Sequence, residues 1–459
     1  MVTHGNLRCR KVLNIEHFWS YSGVIVSIAA VDHIQYVFNR DETKSINLTG
    51  QVTNTPVVKL CRRDDLYTYS AVAKPSADWT KYTSIIITSW CKGSTQFNCF
   101  LYSTNENVET VKATLSRKRS NHGRPNMAAC QYTCKLNNAY HQIKGYLTEV
   151  GLSPLNDIHK DSCPQINKVI YPTRQAGKMA ICSKMAYGTE KPIKLIEWFE
   201  YNRLMGVDRI ITMVQLINRD AYKVLKYYNK TGLLDMDIFP SPLPGIDINK
   251  NANCEIKDRT SCFKNFSDEE LKDLPWRHFR RSSPQGEHDQ MLALDHCQEK
   301  LQGYDFVGNV DFDEFIVQSN LRNIKDYFND TILPKYSNAA GFTLNHSYFL
   351  ANWGISGDGF LQMTQYTQRV NPRYVNYKNV YIPSRTASTT THELTPKSGF
   401  RRVYLKSHHI VVHHYRTCPP VAYWRNCMNF TRYEDKKMLQ IRKVMEERAL
   451  NVKRELGLT

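Results

Sequence analysis

Between Met179 and Phe239 the chain alternates strand-like and helix-like segments, and this pattern restricts the fold more than any other feature of its 459 residues. Met179–Met185 (MAICSKM) reads as a buried strand. Pro192 then stands where the first turn of a helix tolerates a missing N–H, and Ile193, Ile196 and Phe199 recur three apart on one helical face. Gly206 follows at a C-cap position. Arg209–Val214 is a second strand, Asp220 is placed to cap a helix over Ala221–Asn229 that ends near Gly232, and Leu234–Phe239 is a third strand. Such a βαβαβ run implies a mostly parallel sheet with crossover helices. The polar stretch from Pro240 to Arg281 interrupts the alternation as a surface excursion. Helical spacing resumes over Gln290–Leu301, and Tyr304–Val310 (YDFVGNV) is a further strand that delivers Asp311.

The region before this alternation has a different texture. From Leu66 to about Leu147 runs of β-branched and aromatic residues dominate. Ser84–Ser89 and Phe97–Tyr102 read as short strands around a turn at Cys91-Lys92-Gly93-Ser94, and the basic stretch Lys112–Pro125 reads as a loop. A smaller β-rich module is therefore expected ahead of the α/β domain. Residues 39 to about 60 are polar and read as a stem or linker. Further upstream, Arg8, Arg10 and Lys11 precede the apolar run Phe18–Val31. The run fits a signal-anchor with a cytosolic amino end, or else a buried strand or hairpin; its 14 residues fall short of the roughly 20 that span a bilayer as a helix.

With 41% hydrophobic and 23% charged residues the chain can bury an ordinary core without metal or disulfide staples. Its net charge of +18 favours polyanionic partners such as nucleic acid, anionic membrane or phosphate-bearing small molecules. The basic residues are scattered, without zinc-finger spacing or a single-strand-binding signature, which argues against nucleic acid. The thirteen cysteines form no paired C-x-x-C set, so a structural zinc site is disfavoured. Cys91/Cys99, Cys254/Cys262 and Cys418/Cys427 are spaced for local disulfides, and the odd total leaves at least one thiol over. Asn-x-Ser/Thr sequons at Asn47, Asn229, Asn265, Asn329, Asn345 and Asn429 agree with passage through the secretory lumen.

The chemistry concentrates in Asp311-Phe312-Asp313-Glu314-Phe315. At the end of an extended strand, residues i and i+2 point to the same side, so Asp311 and Asp313 are expected to face one site. Ligands of parallel α/β sheets sit at the carboxyl ends of strands. Divalent ions such as Mg²⁺ and Mn²⁺ often take one or two carboxylates plus substrate phosphates, and would neutralise charge on a departing diphosphate. The alternative is that these acids form a solvated turn or an N-cap. Phe312 and Phe315 are expected to pack beneath the acids and orient them.

With its neighbours, this segment resembles glycosyltransferase family 92, a GT-A-type family of Golgi enzymes that includes galactosyltransferases. The resemblance runs from about Leu66 to Tyr433. Its pieces are Tyr69-Ser70-Ala71, Ile196-Glu197-Trp198-Phe199-Glu200-Tyr201, Gly206-Val207-Asp208 and Asp295-His296-Cys297. Val310-Asp311-Phe312-Asp313-Glu314-Phe315, Val370-Asn371-Pro372, Thr391-His392-Glu393 and Val412-His413-His414-Tyr415-Arg416 follow in order.

The resemblance implies a GT-A-like (Rossmann-like) catalytic domain over 166–445, a mixed or mostly parallel sheet with flanking helices. Before it come a cytosolic tail, signal-anchor and stem (1–60) and the β-rich module (61–165); a short tail (446–459) follows. It also implies a UDP-sugar donor, UDP-galactose first among the candidates, with Mn²⁺ or Mg²⁺ as cofactor. The hexose would pass, with inversion, to a hydroxyl of a glycan on a glycoprotein or glycolipid. Carried over, Asp311 meets the ribose and metal-bound water, and Asp313 ligates the metal. His392 or His414 completes the metal shell, or is a hydrogen-bonded structural histidine. Arg416 or Lys184 meets the diphosphate, or forms an ordinary ion pair. Inversion needs a base for the acceptor hydroxyl. Glu287 and Asp289, just before the Gln290–Leu301 helix, are the candidates, with helix capping as their other reading. A lumenal, single-pass type II Golgi protein is the expected setting. Metal-dependent phosphoester hydrolysis, and a glycan-binding paralogue that keeps the fold without catalysis, are the competing readings.

Overall fold

A computed structural model describes residues 66–91, 95–119, 128–155, 165–238, 285–418 and 427–458. The apolar run Phe18–Val31, the 240–281 excursion and Cys254/Cys262 lie outside these residues.

The amino-terminal module consists of β1 (Leu66–Pro75), β2 (Tyr82–Cys91), β3 (Phe97–Ser103), β4 (Val108–Lys118), β5 (Ala128–Lys135), β6 (Leu147–Pro154) and β7 (Gln165–Ile170). They close into a barrel in the order β1-β2-β5-β4-β3-β6-β7, which leaves no free sheet edge. Period-two alternation builds its interior: Phe97, Cys99 and Leu101 of β3 point inward with Ile85, Ile87, Tyr132 and Leu152. The expected loop at Lys112–Pro125 is corrected in its first half. β4 is a strand with only Ala113 buried, paired on both edges by β3 and β5. Val111, Ala113 and Leu115 alternate along one of its faces, but the basic and hydroxyl residues between and after them gave the stretch the look of a loop. The Cys91/Cys99 pairing is also corrected, since the bridges are Cys91–Cys130 and Cys99–Cys134. Cys418–Cys427 forms as spaced, and Cys182–Cys297 ties strand to helix over a separation that local spacing does not reveal.

The α/β body opens with β8 (Gln175–Gly188), α1 (Pro192–Leu204), β9 (Arg209–Ile217), α2 (Arg219–Lys230), β10 (Leu234–Ile238), α3 (Gln285–Lys300) and β11 (Tyr304–Asn309). The four strands are parallel in the order β10-β9-β8-β11, as the crossover pattern requires. Pro192 occupies the start of α1, and Gly206 follows it with φ +84, the left-handed conformation that suits glycine. Asp220 lies in the first turn of α2 but Asn218 is its N-cap residue, with a side chain committed to the backbone of Glu190.

Beyond β11 the chain adds β12 (Glu314–Gln318), β13 (Ala339–Leu350), β14 (Gln368–Arg369), β15 (Arg373–Tyr381), the hairpin strands β16 (Thr386–Thr389) and β17 (Leu394–Pro396), β18 (Arg401–Tyr404), β19 (Ile410–Arg416) and β20 (Tyr433–Glu434). β15 joins β11 antiparallel, and β13, β18, β19 and β12 extend one mixed sheet. A final helix, α4 (Arg442–Glu455), crosses the 445/446 boundary drawn from sequence. It buries Met445, Ala449 and Val452 in the same apolar cluster as Leu195 and Trp198 of α1. On the opposite face α3 lies between sheet and barrel, with Leu292, Leu294 and Cys297 against Tyr67, Tyr69 and Trp90 on one side and Met213 and Val307 on the other. Among the described residues no helix is long and apolar enough to cross a membrane.

Candidate active site

β11 ends at Asn309, so the acids occupy a turn between β11 and β12 rather than the tip of a strand. The Glu314 N–H donates to the Asp311 carbonyl (3.0 Å), and the Asp311 N–H donates to the Glu314 carboxylate (2.8 Å). The strand-periodicity expectation is corrected accordingly, because the turn sends the two aspartates to different partners. α1 braces this turn. The Trp198 indole donates to the Glu314 carbonyl and the Tyr201 hydroxyl to that of Ile316, both at 2.8 Å. Phe312 packs edge-on against Trp198, and Phe315 lies between Tyr201 and Tyr415, so both aromatics support the acids as expected.

Asp311 faces lysines. Between Cys182 and Met185, β8 contains one residue more than β9 opposite it, and Lys184 takes φ +59 within that bulge. The bulge brings its ammonium to Asp311 Oδ1 at 2.6 Å. Lys378 of β15 reaches Asp311 Oδ2 at 2.7 Å and Glu314 Oε2 at 2.8 Å. Burial favours the neutral acid in Asp311, yet Lys184 and Lys378 outweigh it and hold the carboxyl far below its usual range. Burial pulls the Lys184 pKa down against the pull of Asp311, whereas in Lys378 the two carboxylates overcome burial and raise it.

Asp313 faces histidine instead. Glu314 of β12 is registered opposite His414 of β19, and β19 runs beside β13, which carries His346. His414 Nε2 lies 3.0 Å from Asp313 Oδ2, and its Nδ1 lies 3.3 Å from Glu314 Oε1. His346 Nε2 approaches the same Glu314 oxygen at 3.4 Å. Glu314, His346 and His414 are all buried, whereas the Asp313 side chain is 43% exposed. Burial raises the Glu314 pKa and drives that of His346 well down; Asp313 is lowered because His414 outweighs burial.

This half of the site fits a divalent cation. Ligand atoms of Glu314, His346 and His414 converge within 4.8 Å of one another. His346 Nε2 and His414 Nδ1 are buried without a hydrogen-bond partner, an arrangement that costs free energy unless something fills it. Two imidazoles with carboxylate oxygens suit a transition ion such as Mn²⁺ better than Mg²⁺, which prefers oxygen alone.

The remaining candidates divide around this centre. His414 is in the cluster. His392 is not, but lies at the tip of the β16–β17 hairpin within the field of Lys378, Lys184 and Asp311. Its Nδ1 donates to the Tyr377 carbonyl (3.0 Å), which leaves Nε2 as a lone pair, and burial with the nearby Lys378 brings its pKa down to about 4. Arg416 ends β19, where its charge acts on Asp313. Lys184 is spent on Asp311, the ion-pair reading of that residue. Glu287 and Asp289 fall in the first turns of α3, with side chains outside the described residues.

Sequence reasoning missed three participants. His346 and Lys378 lie buried in β13 and β15, where no local signal in the sequence marks them. Glu190 follows β8, and burial together with Asp313 pushes its carboxyl up to about 7.

A family model described as glycosyltransferase family 92 matches residues 177–449, more than half of the chain and all of the site just described. No curated protein matches the chain. Among solved structures, one titled "Crystal structure of S. aureus TarS 1-349" aligns with a TM-score of 0.27 at 12% identity, covering 53% of this chain and 61% of that one.

Proposed function

The chain belongs to glycosyltransferase family 92, and we propose that it transfers a hexose, galactose from UDP-galactose, to a hydroxyl of a glycan acceptor with inversion. The observation that carries this reading is the partly exposed Asp313 carboxylate paired at 3.0 Å with His414, which is itself a member of the buried Glu314–His346–His414 cluster. Parallel strands ending at this turn, with helices on both faces, support a GT-A-like arrangement of the catalytic domain.

In this reading Mn²⁺ would be held either by Asp313 with His414 Nε2 or by Glu314 and His346 with His414 Nδ1, and when bound would offset the charge left on the diphosphate. The chain's own residues supply the rest. Asp311, with both oxygens on lysines, is ionised at every working pH and keeps two buried ammoniums in place beside the site. That fixed array offers a donor no solvent reorganisation. Arg416, beside Asp313, is placed to meet the diphosphate as a hydrogen-bonding cation. Glu287 and Asp289 stay the proposed bases for the acceptor hydroxyl. His392, neutral with Nε2 unprotonated, is a second group able to accept a proton or a cation.

A Golgi, lumenal setting remains our proposal. It is supported by four disulfides, which persist in oxidising compartments, and by the sequon at exposed Asn429; Asn345 is buried and would not be glycosylated in the folded chain.

The test is UDP release from a panel of UDP-sugars with glycan acceptors, with and without Mn²⁺, beside Asp313→Ala. Mn²⁺-dependent release from UDP-galactose that the substitution removes supports the reading. A folded protein that releases UDP from no donor would instead be a glycan-binding member without catalysis.

A further inference from the structure

The family match begins at residue 177 and leaves the barrel outside it, yet the barrel reaches into the site's framework. Two arginines at the end of β4, Arg117 and Arg119, leave the barrel and converge on Asp295 of α3, whose side chain is fully buried. Arg117 Nη1 donates to Asp295 Oδ1 at 2.7 Å and to Gln298 Oε1 at 3.3 Å. Arg119 donates to both Asp295 oxygens. A carboxylate buried between two guanidiniums would suffice to dock the barrel.

Each arginine also does something docking does not need. Arg117 Nη2 donates to the Ala387 carbonyl and Arg119 Nη2 to the Thr389 carbonyl, both at 2.7 Å. Gln298 of α3 adds a second donor to Ala387 at 3.0 Å. Ala387 and Thr389 belong to β16, the first strand of the hairpin whose tip carries His392. The other side of the hairpin tip is tied to the sheet. Asn379 donates to the His392 carbonyl at 3.0 Å, and Arg402 reaches the same carbonyl and Glu393. β16 and β17 form a two-stranded sheet of their own, so β16 has no main-chain partner on its outer edge. The barrel arginines and Gln298 supply donors along that edge.

We propose that Arg117 and Arg119 are positioning residues for the active site: through the carbonyls of Ala387 and Thr389 they fix the hairpin that presents His392 beside Lys378, Lys184 and Asp311. The barrel is then part of the transferase rather than an appended module. A neighbouring contact provides an internal control. Ser70 of β1 lies 2.8 Å from His296 Nδ1, and His296 Nε2 lies 3.0 Å from Asp237, which fastens the barrel to α3 without touching the hairpin. That Ser-His-Asp set has the order of a hydrolytic triad, but His296 is fully buried, so no substrate reaches it.

The experiment uses the full chain with Arg117→Ala, Arg119→Ala, Arg119→Lys and Ser70→Ala, reading hydrogen exchange by peptide alongside UDP release. Arg119→Lys keeps a cation for Asp295 but cannot span to Thr389 as well. Both alanine variants and Arg119→Lys are expected to exchange at least about tenfold faster over residues 386–396 while barrel peptides of β2 and β5 stay protected. In the same variants kcat/KM is expected to fall about tenfold, whereas Ser70→Ala leaves both hairpin exchange and kcat/KM at the wild-type level. Unchanged hairpin exchange in folded Arg117→Ala and Arg119→Ala overturns the proposal. So does equal loosening in Ser70→Ala, or a loosened hairpin with full turnover. The activity arm rests on the glycosyltransferase reading. If the wild-type chain releases no UDP, that reading fails, while the exchange arm still decides whether the barrel holds the hairpin.

Discussion

Asp311 and Asp313 are two residues apart and share a turn, yet they belong to opposite halves of the site. On the lysine half each Asp311 oxygen meets a buried ammonium, and Lys378 also meets Glu314, so two ammoniums face two carboxylates. On the histidine half Asp313, about as exposed as Asp311 (43% against 37%), pairs with His414, and Glu314, His346 and His414 crowd together with two buried nitrogens that lack hydrogen-bond partners. The first half pairs its charges as folded; the second is where, in our proposal, a cation would bind. A D-x-D triplet therefore does not make two equivalent metal ligands. Which partners each acid meets is decided by the strands that the turn leans against: β8 and β15 for Asp311, β19 and β13 for Asp313.

The largest expected effect comes from breaking the open half. Asp313→Ala removes the exposed carboxylate and is expected to lower Mn²⁺-dependent turnover roughly a thousandfold, with melting temperature little changed. A chelator added to the wild-type chain is expected to do the same, reversibly on adding Mn²⁺. Were Asp311→Asn to match Asp313→Ala in turnover while folding normally, the division of labour would be wrong.

The closed half should answer in stability. Lys378→Met strips one of two ammoniums from Asp311 and the hydrogen-bonded ammonium from buried Glu314. Breaking a buried pair by removing one partner costs about 3–5 kcal/mol. Since Glu314 already has a raised pKa and can take up a proton, the lower end, about 3 kcal/mol, is expected in chemical denaturation. A loss below ~1 kcal/mol would mean that solvent, not Lys378, balances these acids.

A smaller effect separates two descriptions of the open half. His346 touches Glu314 and lies behind His414 rather than beside Asp313. His346→Gln is expected to raise the Mn²⁺ concentration for half-maximal turnover about 10–100-fold while leaving the maximal rate nearly intact. An unchanged Mn²⁺ requirement would leave Asp313 and His414 as the cation's protein ligands and give His346 to the core.

This contrast also explains what could be read from the sequence. The crossover pattern, the strand delivering Asp311 and the carboxyl-end location follow from local periodicity, and they are present in β8 to β11. His414 was within reach only through the family resemblance, which offered it and His392 as equal alternatives. His346 and Lys378 were not, because their proximity to Glu314 is created by the register of β13, β15 and β19, strands far apart in sequence. Lys184 was noticed, but its partner depends on a bulge that no local signal marks. The barrel's β-rich character was legible, whereas β4 was read as a loop from its basic residues, although Val111, Ala113 and Leu115 alternate along one face. Nor could Asp295-His296-Cys297 be interpreted before its three side chains were seen to grip Arg117 and Arg119, Ser70 and Asp237, and Cys182.

Glu190 gives the finest test of the difference between the halves. Burial first and repulsion from Asp313 second raise its pKa from the ordinary 4.5 to about 7, against a smaller opposing pull from Lys194. The folded chain therefore keeps a proton that the unfolded chain releases between these two values. Over that window the folded state binds more protons, so its stability falls as pH rises; below 4.5 the contribution is fully present, and above about 7 it is lost. Gln cannot ionise, so Glu190→Gln is expected to melt with the wild type near pH 4.5 and above it at pH 8, by roughly 2–4 °C. Saturating Mn²⁺ should shrink that gap, because a cation beside Asp313 relieves the repulsion that raises Glu190. A gap that ignores both pH and Mn²⁺ would place Glu190 outside the field of the histidine half. A gap that responds to pH but not to Mn²⁺ would place the ion deep among His346, His414 and Glu314, screened from Asp313.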